Sequence, residues 1–537
     1  MERKLNIWLV SREYAGIAEA GGVKNVACSL AETLVSLGHK VTLFIPLYKC
    51  TILKNCSSYN CYYHHPVHFS VEHKEVTVSF SHGTKNNVEI VFIGNSHFIE
   101  KQGVYTYTQE EEEKDFSHKK GEGHLDSQYL NTLFQKAVAY YGLTCSREDA
   151  PDIVHCQDAT AALVPFFIEY GKQTQSYFAD FYRNTKSIVT IHNAGPGYHH
   201  EFSSVKEAEH YTSIEEKYLS PGLLNGKVEP FLLSASCASF TTVSPEYAKE
   251  ILEGKTDTAG LSQEFSKRNI KIKGITNGID AFKYSPENPE ISLLPYSYSP
   301  ENKDLKGKIL CRNDFVREYA SPLSAEKNKS LELTQYGYIS PEVLTDESQV
   351  FICYHGRVVH QKGIDILAQA AQELLEKNLP VNFIFAGQGF PALERMLSDT
   401  AEKYSGKCVY LKGYNQKLAR LSVAAADFSL HPSYFEPCGL EDFIAQILGT
   451  IPVANATGGL CKIVSDETGY LYSPNTKEEL AKTLYSLIKI KSIPGENIFL
   501  NMISYAAKYV KNNFSWKNIT ENGYIPLYKN IMASRKD

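Results

Sequence analysis

Short apolar runs recur along the chain, and between them lie longer stretches in which apolar residues return every three or four positions. The runs read as buried strands and the stretches as amphipathic helices. In the first half the strands fall at 5–10, 40–45, 88–93, 152–155, 187–192 and 240–244. In the second half they fall at 350–354, 381–386, 409–412, 427–431 and 452–454, with helices such as 364–376 and 392–403 between them. Alternating strand and helix is the pattern of parallel α/β sheets. The fold class expected is therefore α/β, with two Rossmann-like series at 1–280 and 281–515 and a closing helix at 516–537. Ligands of such sheets bind beyond the carboxyl ends of the strands, so the loops at those ends are where chemistry is expected.

Two segments break the pattern. Residues 107–124 hold the run Glu110 to Glu113 and read as a solvated, mobile loop. Residues 286–347 are rich in Pro, Ser, Asn and charge, and they fall where one series hands over to the other. Composition narrows the function classes. A chain of 537 residues has room for two large domains. Its net charge of −6 provides no basic field for nucleic acid or anionic lipid, so neither is expected as a partner. No stretch approaches the ~18–20 apolar residues of a membrane span, and the first ten residues read as a strand rather than a signal segment. A cytoplasmic location is expected. Several of the 12 Cys, such as Cys353 and Cys408, sit in apolar strands, as reduced and packed thiols do. Cys50, Cys56 and Cys61, followed by His64, His65 and His68, lack C-x-x-C spacing, and no metal site is expected there.

The run Ser433-Tyr434-Phe435-Glu436-Pro437-Cys438-Gly439-Leu440 follows a strand and opens onto a helix at 440–448. Pro437 sets a turn, and Gly439 lets backbone approach a ligand closely. Free N–H groups at the helix start favour an anion, and the Glu436 carboxylate stands just ahead of them. Such a site suits a ligand that carries both phosphate and sugar. In Tyr354-His355-Gly356-Arg357-Val358-Val359-His360-Gln361-Lys362-Gly363, Arg357 and Lys362 share one loop and can both reach one diphosphate. A glycine turn, Glu19-Ala20-Gly21-Gly22-Val23-Lys24, follows the first strand and leads into a helix. Thr190-Ile191-His192-Asn193 ends another strand, and Asp126 precedes a helix.

Taken in order, these segments resemble the landmarks of bacterial glycogen synthases and plant starch synthases: S-R-F-E-P-C-G-L, S-R-L-x-x-Q-K-G-x-D, K-x-G-G-L and T-V-H-N. His155-Cys156-Gln157-Asp158-Ala159-Thr160 resembles H-A-H-D-W-H with its first His and its Asp kept, and Leu224-Asn225-Gly226-Lys227 resembles F-N-G-x. The resemblance implies the GT-B fold, two Rossmann-like domains facing across a cleft, with the closing helix returning to the first domain. It implies a retaining glucosyltransferase that moves glucose from a nucleotide sugar to the non-reducing end of an α-1,4-glucan. ADP-glucose is the favoured donor and UDP-glucose the second. No cofactor and no metal are implied, since the nucleotide sugar is a substrate. By the same match, Arg357 and Lys362 neutralise the leaving diphosphate, Glu436 and His192 attend the transferring glucose, and Asp126 lines the cleft. Gly21, Gly22, Asn225, Cys438, Gly439, Leu440 and Glu441 fall at donor-binding positions. Two other readings stay open: a GT-B enzyme with another donor or acceptor, and a non-catalytic glucan-binding relative.

The chain also departs from that pattern. Glu19 stands where the family has lysine, Tyr434 where it has arginine, Glu441-Asp442 where it has threonine and glutamine, and Ile444 where it has tyrosine. A carboxylate ~6 Å from a diphosphate, at an effective dielectric of ~20, contributes roughly 3 kcal/mol of repulsion per phosphate charge before screening. Three alternatives stay open: these carboxylates turn away, they pair with bases such as Lys24, or the donor is held differently.

Overall fold

The structure is a computed structural model, and it describes residues 3–493 and 498–533, with the side chains of residues 61–65 left undescribed. The chain divides into two compact units, Met1–Asn277 with Ile519–Asp537, and Gly278–Asn518.

The first unit is built on a nine-stranded sheet. Its strands are β1 (Asn6–Val10), β2 (Lys40–Pro46), β3 (Ser58–Val71), β4 (Lys74–Lys85), β5 (Val88–Gly94), β6 (Ile153–Gln157), β7 (Lys186–Ile191), β8 (Ala238–Thr242) and β9 (Ile272–Gly274). They lie in the order β9-β8-β7-β6-β1-β2-β5-β4-β3. Pairing is parallel from β9 to β5 and antiparallel from β5 through β4 to β3. Helix α1 (Val23–Ser36) follows β1, and α2 (Ser127–Tyr141) runs through the core with Leu130, Leu133, Phe134, Ala137 and Val138 buried. The second unit carries a seven-stranded sheet. Its strands are β10 (Thr334–Ile339), β11 (Val350–His355), β12 (Val381–Gly387), β13 (Lys407–Lys412), β14 (Phe428–His431), β15 (Ile451–Asn455) and β16 (Tyr470–Tyr472). The order is β10-β13-β12-β11-β14-β15-β16, parallel except for β10 at one edge.

The buried strands are near-continuous in Val, Ile, Leu and Phe because both faces of a parallel sheet are covered. In the second unit helix α3 (Lys306–Phe315), α4 (Ile364–Glu376), α5 (Gln416–Ala425), α6 (Glu441–Ile447) and α7 (Leu500–Asn513) surround the sheet. The closing helix α8 (Ile525–Ala533) packs in the first unit, where the Tyr528 hydroxyl meets His155 Nδ1 at 2.8 Å. His155 Nε2 meets Thr190 Oγ1 at 2.7 Å, so this fully buried ring is a structural clasp.

One expectation holds in part. Residues 107–124 are exposed at 113–117 and 119–123, as a solvated segment is, but they are not a loop throughout. Thr108 and Glu111 form a reciprocal capping box over the helix Gln109–Lys114, and Tyr107 and His124 are buried. Residues 286–347, whose part the sequence leaves open, supply α3 and the edge strand β10. Helix α3 is stapled to the sheet by Lys308, whose buried ammonium donates to the Ala424 carbonyl (2.8 Å) and Thr450 Oγ1 (2.7 Å). Cys50 and Cys56 are not joined in a disulfide, and Cys61, His64 and His65 lie outside the described side chains.

Candidate functional site

In the second unit the functional loops leave the carboxyl ends of β11 and β14. Beyond β11 the chain turns at Gly356 and Gly363, with φ of +154° and +64°. A Cβ on Gly363 would lie 1.9 Å from the Pro432 carbonyl oxygen, so only glycine lets the two loops touch. Across that contact Lys362 and Glu436 form an ion pair, with side chains 20% and 12% exposed. Ser433 Oγ also donates to Glu436, at 3.2 Å. Burial works against the Glu436 charge, but Lys362 and the nearby Lys462 hold the carboxyl below its ordinary range. Arg357 is exposed, and its guanidinium makes no hydrogen bond or ion pair among the described residues.

The turn 436–441 rests on the Gly458-Gly459 segment. Gly459 N–H donates to the Glu436 carbonyl at 2.7 Å, and a Cβ at Gly459 would lie 1.9 Å from the Cys438 carbonyl oxygen. Cys438 is buried, and Gly439 has φ +70°. The sequence reading missed the residue that locks this turn. Lys462 Nζ donates to the carbonyls of Cys438 (2.6 Å), Gly439 (2.9 Å) and Gly459 (2.9 Å), and to Asp442 Oδ1 (2.9 Å). Both members of that ion pair are buried, at 6% and 0% exposed. Burial pushes the Asp442 carboxyl up to about 6, against the pull of Lys462. Glu441, at the start of α6, pairs with His355 Nδ1 at 3.3 Å. Although burial opposes it, that partner, with His431 and Lys362, holds the Glu441 carboxyl low. The Tyr434 hydroxyl donates to Asp365 at 2.7 Å, and its ring stacks on His360. Ile444 packs into the apolar core.

In the first unit a second group gathers at the carboxyl ends of β1, β6 and β7. His192 follows β7, and its Nε2 meets Gln157 Oε1 at 2.8 Å. Burial lowers the imidazole to about 4, so it is neutral at pH 7. Its backbone N–H points at Asp158 Oδ1 (3.4 Å). Asp158 has φ +66°, a strained conformation for a residue with a side chain. Burial pushes its carboxyl up to about 7, and Glu13 adds to the rise. The retained H-x-x-D spacing was the sequence signal for Asp158, a carboxylate beside His192. The Gly21 N–H donates to Glu13 Oε2 at 2.6 Å, so this carboxylate closes the glycine turn internally. Gly22 has open space where a Cβ would stand. Glu19 pairs with Lys24 at 3.2 Å.

Two sequence-chosen residues have local explanations. Asp126 pairs with Lys101 at 2.9 Å and leaves its buried Oδ1 without a partner. Asn225 and Gly226, with φ of +51° and +82°, make the exposed tip of the small hairpin Leu223–Leu224 and Lys227–Val228, as an Asn-Gly turn does. A metal needs ligands with free lone pairs. His199, Glu201 and Glu229 lie close together, but both His199 nitrogens are taken, by Glu229 (2.9 Å) and by the Ala194 carbonyl (2.7 Å).

The structure thus brings together Arg357, Lys362, Glu436, Cys438, Gly439, Leu440 and Glu441 in one unit, and His192 and Gly21 with Asp158 and Glu13 in the other. Two family models match the chain: "Starch synthase catalytic domain" over residues 6–266 and "Glycosyl transferases group 1" over 339–509. Among curated proteins, the chain is 29% identical to the glycogen synthase of Thermodesulfovibrio yellowstonii, with 99% of each covered. It is 27% identical to that of Photobacterium profundum, over 98% of this chain and 94% of the other. Among solved structures it resembles the catalytic domain of starch synthase IV from Arabidopsis thaliana, solved with ADP and acarbose. That likeness has TM-score 0.76 and 22% identity, covering 99% and 100% of the two chains, and it shows the GT-B fold.

Proposed function

The chain belongs to the family of bacterial glycogen synthases and plant starch synthases, which are hexosyltransferases, and from that premise we propose that it transfers glucose from ADP-glucose to the non-reducing end of an α-1,4-glucan with retention. UDP-glucose is the second donor. The observation that carries this reading is the Lys362–Glu436 pair, with Arg357 on the same loop as Lys362 and its guanidinium without a partner among the described residues, on loops that only glycines at 363 and 459 allow to meet. The starch synthase relative solved with ADP favours the adenine nucleotide.

In this reading the departing diphosphate takes on charge at the second unit. Arg357 has all its donors free among the described residues, and Lys362 spends one on Glu436, leaving others for a phosphate oxygen. Fixed cations placed before the reaction stabilise such charge without solvent reorganisation. Glu436, kept ionised by Lys362, accepts from sugar hydroxyls and favours a positively charged ring. In the first unit His192, neutral at pH 7, offers a hydrogen bond to the hexose without a competing charge.

The purified chain is incubated with ADP-glucose or UDP-glucose and glycogen, and nucleoside diphosphate release is followed with the chain-length and anomeric analysis of the product. Turnover with ADP-glucose and α-1,4 extension are expected. Glucan binding without turnover on either donor would replace this reading with that of a glucan-binding relative. We further propose that the reaction needs no divalent metal, because Arg357 and Lys362 supply the positive charge. EDTA should leave the initial rate unchanged, and a rate that collapses and returns with Mg²⁺ or Mn²⁺ would overturn this.

A further inference from the structure

A cavity of about 440 Å³ opens at the amino ends of β11, β14 and β15, the end of the second sheet opposite Lys362 and Glu436. One wall comes from Leu305, Ile309 and Arg312 of α3 and its approach, a stretch that neither family match includes. The size falls in the range of small-molecule sites, roughly 300–1,000 Å³.

The floor is charged. Asp427, 9% exposed, accepts from the Phe351 N–H (2.9 Å) and from Arg312 Nη2 (2.8 Å), one hydrogen bond on each carboxylate oxygen. Lys491 stands 3.7 Å from the same carboxylate oxygen, too far for a hydrogen bond. Arg312 spends Nε on the Ala425 carbonyl (2.7 Å) and stacks over Phe351 at 4.5 Å, while its Nη1 has no partner among the described residues. The Lys491 ammonium, on a side chain 19% exposed, makes no hydrogen bond among them either. Two sheltered cations therefore present unused donors to one cavity. Lys308, the third base there, has its donors taken by protein oxygens. The acids at the rim do not answer these cations: Asp346 accepts from Ser348 and Gln349, and Glu347 is exposed. The walls above are apolar, formed by Ile309, Val343, Phe428 and Phe499. Sugar hydroxyls against such walls would lose water without gaining partners.

From the paired donors and the apolar walls we infer that this cavity binds a small amphiphilic anion. Its acidic group bridges Arg312 Nη1 and Lys491 Nζ, and its ring or short acyl body lies against Phe428 and Phe499. The inference does not rest on the glucosyltransferase reading.

Fluorescence titration of the full chain with 8-anilinonaphthalene-1-sulfonate tests it, with uncharged N-phenyl-1-naphthylamine as the control. One sulfonate probe per chain is expected, with Lys491→Met weakening it about ten- to a hundredfold, as loss of a charge-assisted bond does. The uncharged naphthylamine should bind more weakly and ignore Lys491→Met. Ile309→Trp, at a position 57% exposed on the rim, should block the sulfonate without disturbing the fold. Circular dichroism and melting temperature check both variants. The inference fails if the wild type binds no sulfonate probe or if both variants bind it as the wild type does. It also fails if the uncharged analogue binds equally well, which marks an apolar crevice, or if ADP displaces the probe.

Discussion

Lys462→Met removes the ammonium that ties Cys438, Gly439 and Gly459 together and neutralises Asp442. Asp442 is fully buried and cannot turn to water, so its charge would be left unpaired. Removing one partner of a buried pair costs about 3–5 kcal/mol. Protonation limits the loss. Taking up a proton costs about 1.4 kcal/mol for each pH unit between the ordinary value of 3.8 and the working pH; the wild type already carries that cost up to about pH 6, so the variant adds about 1.4 kcal/mol of ionisation penalty at pH 7.

The sign of the pH dependence follows. In the wild type the Asp442 carboxyl, raised to about 6, already opposes folding above that pH, and the penalty fades as pH falls from 6 towards 3.8. Without Lys462 the folded-state value rises further. The variant should then lose about 1.4 kcal/mol of stability per pH unit from pH 4 up to neutrality, relative to its own value at pH 4. In Lys462→Met/Asp442→Asn the pH dependence should vanish and most of the stability return. The chain has two Trp, Trp8 in the first unit and Trp516 in the second, so in a Trp8→Phe background urea unfolding followed by Trp fluorescence reports the second unit. A single variant with a flat pH profile, or a double variant as unstable as the single, would refute the assignment of this pair as the lock of the 436–441 turn.

Arg357→Ala and Lys362→Ala should each lower turnover by about 10²–10³. Lys362→Ala should also lower the melting temperature, because it strands Glu436, whereas Arg357→Ala should not; near-normal turnover in both would end their proposed role. The rate should show an inflection near pH 7 from Asp158, absent in Asp158→Asn, and none from His192 above pH 5. Glu441→Gln should tighten ADP about fivefold in low salt and less at high salt. Its side chain is 41% exposed, which screens most of the repulsion; calorimetry showing no change at either salt would mean the carboxylate faces away from the anion.

The parallel strands were legible in the sequence because burial on both faces writes them as apolar runs, as in 7–10 and 350–354. The hairpin of β3 and β4 was not. Its turn residues, Glu72 and His73, have φ of +53° and +56°, positions where Asn-Gly is the usual signal. The β3 register also shifts between Asn60, His64 and Val67, which breaks the alternation a reader would follow. Edge strand β10 hid for a related reason, since it carries Gly337 at φ +62° and mostly half-buried side chains. At the site, Lys362, Glu436 and Gly363 were legible because their spacing is local. Lys462 was not, because its partners at 438, 439 and 442 come from another loop, and a lone lysine after a glycine pair signals nothing until the turn is folded against it.

The acidic departures were the strongest argument against a diphosphate site, and the structure changes the terms of that argument. Two of the carboxylates arrive with a lysine, Glu19 with Lys24 at 3.2 Å and Asp442 with Lys462 at 2.9 Å, while Glu441 has His355 Nδ1 at 3.3 Å as a hydrogen-bond partner. A paired carboxylate presents a short dipole, and the field of a dipole falls off with distance faster than that of a charge. The roughly 3 kcal/mol expected for a bare carboxylate at ~6 Å is therefore an upper bound. The pairs also differ in kind. Lys462 is saturated by protein oxygens and has no donor left for a ligand, so Asp442 and Lys462 act on shape. Glu436 and Lys362 keep unused donors and acceptors, so the same chemistry there remains available to a ligand. Arg357 then stands apart, its guanidinium making no hydrogen bond or ion pair among the described residues, and in the proposed reading it is the residue on which recognition of the leaving group most depends.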